Sequence, residues 1–316
     1  MEPQLDFTAS GEVADSHVAA PKRRSALRLI DTKALQREQW LQVRRSGIGS
    51  SDAAAAAGLN PYQSRLALWL DKTGRAPVEE KAADSSSDPM YWGSLLEPVV
   101  AAHYTKRTGY KVRCVRAVLQ HPQVAWMLAN IDREVLCAPD VQILECKTAG
   151  IQGSRLWRDG VPEYVQLQVL HQLAVTGKQA ADVAVLLGGQ KLEIFRINRN
   201  EVMIAHLMAL EEEFWGYVQR DQAPPADGSS SAERALRELF ARDNGACVDW
   251  THDTEMSNTF SDLLRVRTEL AALSAQEAKL KQHIQQQMGE ASMAQFELGE
   301  VRYKRSKDAV TTDWKA

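Results

Sequence analysis

The 316-residue sequence predicts an α/β protein: a mixed central sheet flanked by helices, then a helical C-terminal extension ending in a β-hairpin. Three observations carry this. Strand-like runs recur at Lys111–Leu119, Met127–Val135 and Val141–Lys147, and again at Val183–Gly188 and Lys191–Ile197 around Gly188-Gly189. Helical patterns stand before, between and after them. A long amphipathic stretch, Thr254–Gly289, is followed by a hairpin-like pattern over Ala294–Lys307.

Composition narrows the class. Hydrophobic residues make up 44% and charged residues 25%, the balance of an ordinary globular chain. The length suits one sizeable domain and an accessory one, and we divide it into an arm over 1–30, a main domain over 31–225 and an accessory region over 226–316. The net charge of −3 excludes a global basic field, so any nucleic-acid contact rests on local patches. Four cysteines without CxxC spacing read as free thiols of a reducing, cytoplasmic compartment. No apolar run is long enough to span a membrane, and the first residues are too acidic and polar for a signal peptide.

In chain order, residues 1 to about 30 lack periodicity and read as an arm, in which Pro21-Lys-Arg-Arg24 is more simply a solvated tail than a phosphate contact. From Thr32 a helix is expected, with Leu35, Gln39, Trp40 and Val43 at helical spacing. Arg44-Arg45-Ser46-Gly47-Ile48-Gly49-Ser50-Ser51-Asp52 then leads into an Ala-rich helix. Amides, hydroxyls and a guanidinium there suit an anion, and a capped helix with two surface arginines suits the same residues. Ser64–Gly74 is a helix with Leu66, Leu68, Trp69 and Leu70 for the core, and Arg75–Pro89 a polar loop. Tyr91–Thr108 is a helix closed by Gly109. Glu97 is placed in its first turn, either as an acid favoured by the helix dipole or as a ligand directed at the sheet. Between Pro98 and Ile131 there are no acids but several Lys and Arg, a local basic surface.

Glu145 and Lys147 stand two apart in a strand and therefore share a face, and Asp132 comes from a neighbouring strand. Glu-x-Lys alone is an ordinary ion pair. With Asp132 and Glu97 it becomes a hard-oxygen site beside an ammonium, which suits Mg²⁺ or Mn²⁺ activating water against a phosphodiester. The loop Thr148–Gly160 offers Arg155, Trp157 and Arg158 to a substrate. Pro162–Thr176 is a helix that carries the amides Gln166 and Gln168 among others, and His171, which reads as a packing histidine. Glu201–Arg220 is an acidic helix with Glu211-Glu212-Glu213 outward, and Ala232–Ala241 a short one beyond a Gly/Ser-rich linker. Thr254–Gly289 serves equally as an oligomer contact, a docking surface or a self-packed helix. The hairpin, turning at Gly299-Glu300, is either a DNA grip or a charge-protected edge.

Arg45-Ser-Gly-Ile-Gly-Ser-Ser-Asp52, Gly93-x-x-x-Glu97, Asn130-Ile-Asp132, Glu145-Cys-Lys147 and Gln166-Leu-Gln168, in that order over residues 35–222, resemble the YqaJ-type viral recombinase nucleases. These are relatives of lambda exonuclease in the PD-(D/E)xK superfamily. The resemblance implies a restriction-endonuclease-like core and a Mg²⁺-dependent 5′-to-3′ exonuclease on linear double-stranded DNA. It would use two ions, with Mn²⁺ able to substitute. Its product is a 3′ single-stranded overhang, passed to a single-strand annealing protein of the RecT, Bet or Erf type. It further implies a homo-oligomer, a trimeric ring, acting in the cytoplasm of a bacterial host and of phage or prophage origin. By the same resemblance Asp132, Glu145, Glu97 and the carbonyl of Cys146 are metal ligands, Lys147 orients the water with Gln166 as support, and Arg45 and Ser51 receive a 5′-phosphate. Asn130 departs from the family's Pro, and a small hydroxyl found nearby in lambda exonuclease is missing. Two other readings compete. An iron–sulfur nuclease of the Cas4 or AddB kind lacks the clustered cysteines it needs. A non-catalytic scaffold that binds DNA ends has no use for like charges around a metal site.

Overall fold

The computed structural model describes residues 26–33, 35–77 and 89–304. Most of the arm, with its basic run at 21–24, most of the polar stretch 75–89, and positions 305–307 of the hairpin lie outside the described residues. The chain forms two compact units, Met1–Arg242 and Asp243–Ala316.

The first unit opens with β1 (Leu27–Asp31), α1 (Arg37–Arg45) and α2 (Ala53–Ala56), the last entered through a 3-10 turn at Ser50–Asp52. α3 (Arg65–Lys72) and α4 (Pro89–Thr108) follow. Then come β2 (Lys111–Cys114), β3 (Ala117–Gln120), β4 (Leu128–Ala129), β5 (Arg133–Leu136) and β6 (Ile143–Ala149). α5 (Glu163–Thr176) leads to β7 (Ala180–Leu187) and β8 (Lys191–Asn198), and α6 (Glu201–Gln219) and α7 (Ser230–Leu239) close the unit.

The main sheet has the order β2-β5-β6-β7-β8. β6 and β7 run parallel and the other neighbours antiparallel. A parallel pair needs a crossover, which α5 supplies. α5 buries one face of the sheet, setting Leu170 and Leu173 on Ile143, Val183 and Val185. α4 covers the other, with Val100, Ala101 and Tyr104 on Leu144, Cys146 and Ala184. This is the mixed central sheet flanked by helices that the sequence predicts.

Two of the expected strands break in the middle. Lys111–Leu119 divides into β2, in the main sheet, and β3, which pairs with β1 and β4 in a separate three-stranded sheet. Met127–Val135 divides likewise into β4 and β5. Period-two alternation records faces, not partners, so it cannot show a chain crossing between sheets. β1 lies in what reads as an arm because Leu27 and Leu29 stay 51% and 43% exposed, leaving no buried alternation.

Other elements shift in ways that matter for the site. α4 begins at Pro89, so Glu97 lies two turns inside the helix, ahead of Pro98, and the dipole reading of Glu97 loses its basis. Glu211, expected outward, is fully buried. α7 belongs to the first unit: Ser231 Oγ accepts the Ser64 amide at 3.0 Å, and Ala235 packs in the cluster of Leu66 and Phe214.

The second unit contains α8 (Thr254–Met288), whose N-terminus is capped by Asp253 taking the Met256 amide at 3.0 Å. β9 (Met293–Phe296) and β10 (Gly299–Arg302) form the hairpin. Its turn falls at Glu297-Leu298, two residues before the position expected, because Gly299 already pairs with Phe296. No helix among the described residues is long and apolar enough to cross a membrane.

Candidate active site

β6 alternates between the two layers. Leu144 and Cys146 face α4, while Glu145 and Lys147 face α5 with Ile143. On α5 the residues Tyr164, Gln168 and Gln172 recur every fourth position and so form one stripe. Glu145 is only 2% exposed and is held at both oxygens. Oε1 accepts from Gln168 Nε2 at 2.6 Å, Oε2 from Gln172 Nε2 at 2.7 Å, and Lys147 Nζ lies 2.8 Å from Oε1. Lys147 also donates to Gln168 Oε1 at 2.9 Å. Burial opposes charge on Lys147, but Glu145 and then Asp132 outweigh it, and its pKa lies above the ordinary lysine value. At neutral pH Lys147 is therefore a cation that donates hydrogen bonds, not a base.

Asp132 sits at the break between β4 and β5. In an unbroken ladder the residue before Arg133 would pair with Glu145, since Arg133 pairs with Leu144. Instead the Asp132 carboxylate takes the Cys146 amide at 2.8 Å, replacing the missing ladder bond with a side chain. Burial first, then the Glu145 charge, pushes the Asp132 carboxyl well above the usual carboxylate range. Glu97 adds to that pressure, although it is ion-paired with Arg133. All four residues, Glu97, Asp132, Glu145 and Lys147, line one cleft of about 700 Å³.

The donor set fits a hard cation. Two carboxylates at one mouth share a single ammonium, an oxygen-rich set of the kind a hard divalent cation takes. Among the described residues no three His, Cys, Asp or Glu side chains gather tightly enough to cage a metal alone. Glu97 is drawn to Arg133, so the carboxylates that remain are Asp132 and Glu145, with the other positions left to oxygens of main chain, water or substrate. The Cys146 thiol faces α4, buried, and burial followed by the Asp132 and Glu145 charges raises its pKa, so only its carbonyl is a candidate ligand.

The far wall is built by the glycine-bearing turn after α1. Ile48 bridges to the β4 segment, its amide bonding Trp126 O at 2.7 Å. A Cβ on Gly47 would stand 2.4 Å from that same carbonyl, so only glycine permits the approach. Docking the turn brings Ser50 and Ser51 to the cleft. Behind them Asp52 is buried between Lys72 Nζ at 2.6 Å and Arg44 Nη2 at 2.5 Å. Burial alone would raise its carboxyl, but these two cations overcome that and hold it below the usual range.

A YqaJ-like viral recombinase domain is matched over residues 39–179, a span holding every cleft carboxylate named above. The protein YqaJ of Bacillus subtilis (strain 168) is 38% identical over 268 residues, covering 83% of this chain and 82% of that one. The chain belongs to the YqaJ-like viral recombinase family. Among solved structures, the alkaline exonuclease LHK-Exo of Laribacter hongkongensis is similar at a TM-score of 0.49 and 21% identity, over 64% of this chain and 97% of that one. A phage-related exonuclease from Haemophilus somnus 129PT is similar at a TM-score of 0.41 and 9% identity, over 55% and 94%.

Several residues of this YqaJ-like chain are placed differently from the sequence reading. Gln166 points away from the cleft and bonds Val161 O at 2.6 Å, because two residues turn a helix by about 200°. Gln168 and Gln172 hold the positions beside Glu145 and Lys147. Arg45 packs beside Gly74 at the end of α3, and its neighbour Arg44 lines the cleft with Ser51. Trp157 is a core residue, 6.0 Å from Phe195 between ring centroids, and cannot meet a substrate. Arg155 and Arg158 are exposed but lie outside the cleft lining. The fourfold spacing of Tyr164, Gln168 and Gln172 is the signal in the sequence that puts these two amides, and not Gln166, on one stripe. Nothing local distinguishes Arg44 from Arg45.

Proposed function

We propose that the chain is a Mg²⁺-dependent exonuclease that degrades linear double-stranded DNA from 5′ ends and leaves 3′ single strands for a single-strand annealing protein. The observation that carries the reading is the convergence of Asp132, Glu145 and a protonated Lys147 in one cleft. Asp132 and Glu145 would hold Mg²⁺ or Mn²⁺ with the Cys146 carbonyl, and Glu97 would join them for a second ion only on leaving Arg133. When bound, such ions polarise the phosphoryl oxygen and lower the pKa of water.

The chain's own groups do the rest. Lys147 directs its ammonium at charge developing on the scissile phosphate. Gln168 bridges Lys147 and Glu145, fixing the angle between cation and carboxylate. Arg44 and Ser51 stand on the same cleft and supply a guanidinium and a hydroxyl for a terminal 5′-phosphate, the role the resemblance gave to Arg45. Arg44 is already anchored by Asp52, so it is preorganised.

Duplex DNA labelled separately at each 5′ and 3′ end tests this. With Mg²⁺ the 5′ labels should be released and the 3′ strands survive, faster on 5′-phosphate than on 5′-hydroxyl ends, and that preference should vanish in Arg44→Ala but persist in Arg45→Ala. Release of 3′ labels first, or equal activity in EDTA, would overturn the proposal.

A further inference from the structure

The second unit carries an apolar stripe that its own fold leaves open. α8 is 35 residues long and none of them is buried. A helix that packs on its own domain hides its apolar stripe against the core. Here Leu263, Val266, Leu270, Leu273 and Leu280 are between 41% and 61% exposed.

The stripe has the coiled-coil period of 3.5 residues. Met256, Leu263, Leu270 and Ile284 occupy the first apolar position of successive heptads, with Glu277 the exception. Val266, Leu273 and Leu280 occupy the second, with Thr259 and Gln287 at the two ends. The helix holds five heptads and runs about 52 Å at 1.5 Å per residue.

We propose that α8 pairs with α8 of a second copy of this chain as an antiparallel two-stranded coiled coil. Direction follows from the pattern. In a parallel pair, first positions meet first positions, and two Glu277 carboxylates would face each other in the seam. In an antiparallel pair, first positions meet second positions. Leu270 then lies against the partner's Leu273, Leu263 against the partner's Leu280, and Glu277 against the partner's Val266. The centre of this match, between Leu270 and Leu273, is the centre of the helix, so the two copies overlap along their whole length. Glu277 keeps Lys281 at 2.6 Å within its own helix, which lets its charge reach the solvent edge. At the flanks Asp262 comes level with the partner's His283, a carboxylate that can accept from an imidazole N–H.

The inference does not depend on the nuclease reading, and its test reads mass and cross-links, not activity. Light scattering on the full chain across concentration compares wild type, Leu270→Glu/Leu273→Glu and Glu277→Leu. The double variant should lose a factor of two in mass with its helix content kept. Glu277→Leu should tighten association by about tenfold or more, since it removes a charge from the seam. Disulfide capture reads direction. In a background where the exposed Cys114, Cys137 and Cys247 are serine, Leu263→Cys mixed with Leu280→Cys should give the mixed dimer. Same-site disulfides would overturn the antiparallel order. An unchanged mass in the double variant would overturn the pairing itself.

Discussion

Lys147 and Gln168 show how single side chains set the chemistry of this cleft. Lys147 is held charged by Glu145, and Gln168 spans both, accepting from the ammonium while donating to the carboxylate. An amide suits that place because it carries both functions at neutral charge. Gln168→Ala is therefore expected to lower turnover about 10- to 100-fold, the usual cost of losing a partner that orients a ligand. Gln166→Ala, whose amide serves the Val161 carbonyl, should stay within about twofold by the same reasoning. Steady-state digestion rates under saturating DNA and Mg²⁺ check this, and equal losses would show that the stripe assignment is wrong.

At the scale of elements, the joint between α5, α6 and β4 rests on a buried imidazole. His171 Nδ1 lies 2.7 Å from Glu211 Oε1 and Nε2 lies 2.8 Å from Leu128 O. A carbonyl can only accept, so Nε2 carries hydrogen. Nδ1 faces the Glu211 carboxylate, so a second ring hydrogen has an acceptor there as well. Burial opposes this, but the Glu211 charge and hydrogen bond raise the His171 pKa above 6.5. A pKa raised by folding contributes stability that is complete below the unfolded value and lost as pH climbs through the folded one. The urea midpoint should thus decline on the alkaline side, from about pH 6.5 upward, by this linkage. In Glu211→Gln the decline should flatten or invert, and denaturation titrations across that range decide it. Asp52 works in the opposite direction. Its carboxyl is held below 3.8, so its contribution is present at neutral pH and fades only as pH falls through that lowered value.

Across the whole molecule, the parts legible in the sequence are those that depend on local spacing. Glu145 and Lys147 on one strand face, the helices at Ser64–Gly74 and Pro162–Thr176, and the β7–β8 hairpin all follow from period and turn residues. Long-range decisions were not legible. The turn after α1 docks on β4 through Gly47, and that docking, not any feature of α1, turns Arg44 to the cleft and Arg45 to α3. The breaks at Val115–Arg116 and Asn130–Asp132 are crossings between two sheets, and alternation continues through them unmarked. Glu211 reads as surface because its partner is forty residues away. The break at Asp132 is also what frees its carboxylate to face Glu145, so the least legible feature of the sheet builds the candidate site.

We propose that Asp132, Glu145 and Lys147 act together on a phosphodiester. Single-turnover hydrolysis of a 5′-phosphorylated duplex, with enzyme in excess and Mg²⁺ added to start the reaction, measures it for wild type, Asp132→Asn and Lys147→Ala. Rapid Mg²⁺-dependent cleavage by wild type is expected, with a loss of at least about 100-fold in each variant, the scale seen when a charge-stabilising donor is removed, and with DNA still bound. Undiminished cleavage by either variant, or none by wild type with DNA ends retained, would contradict it.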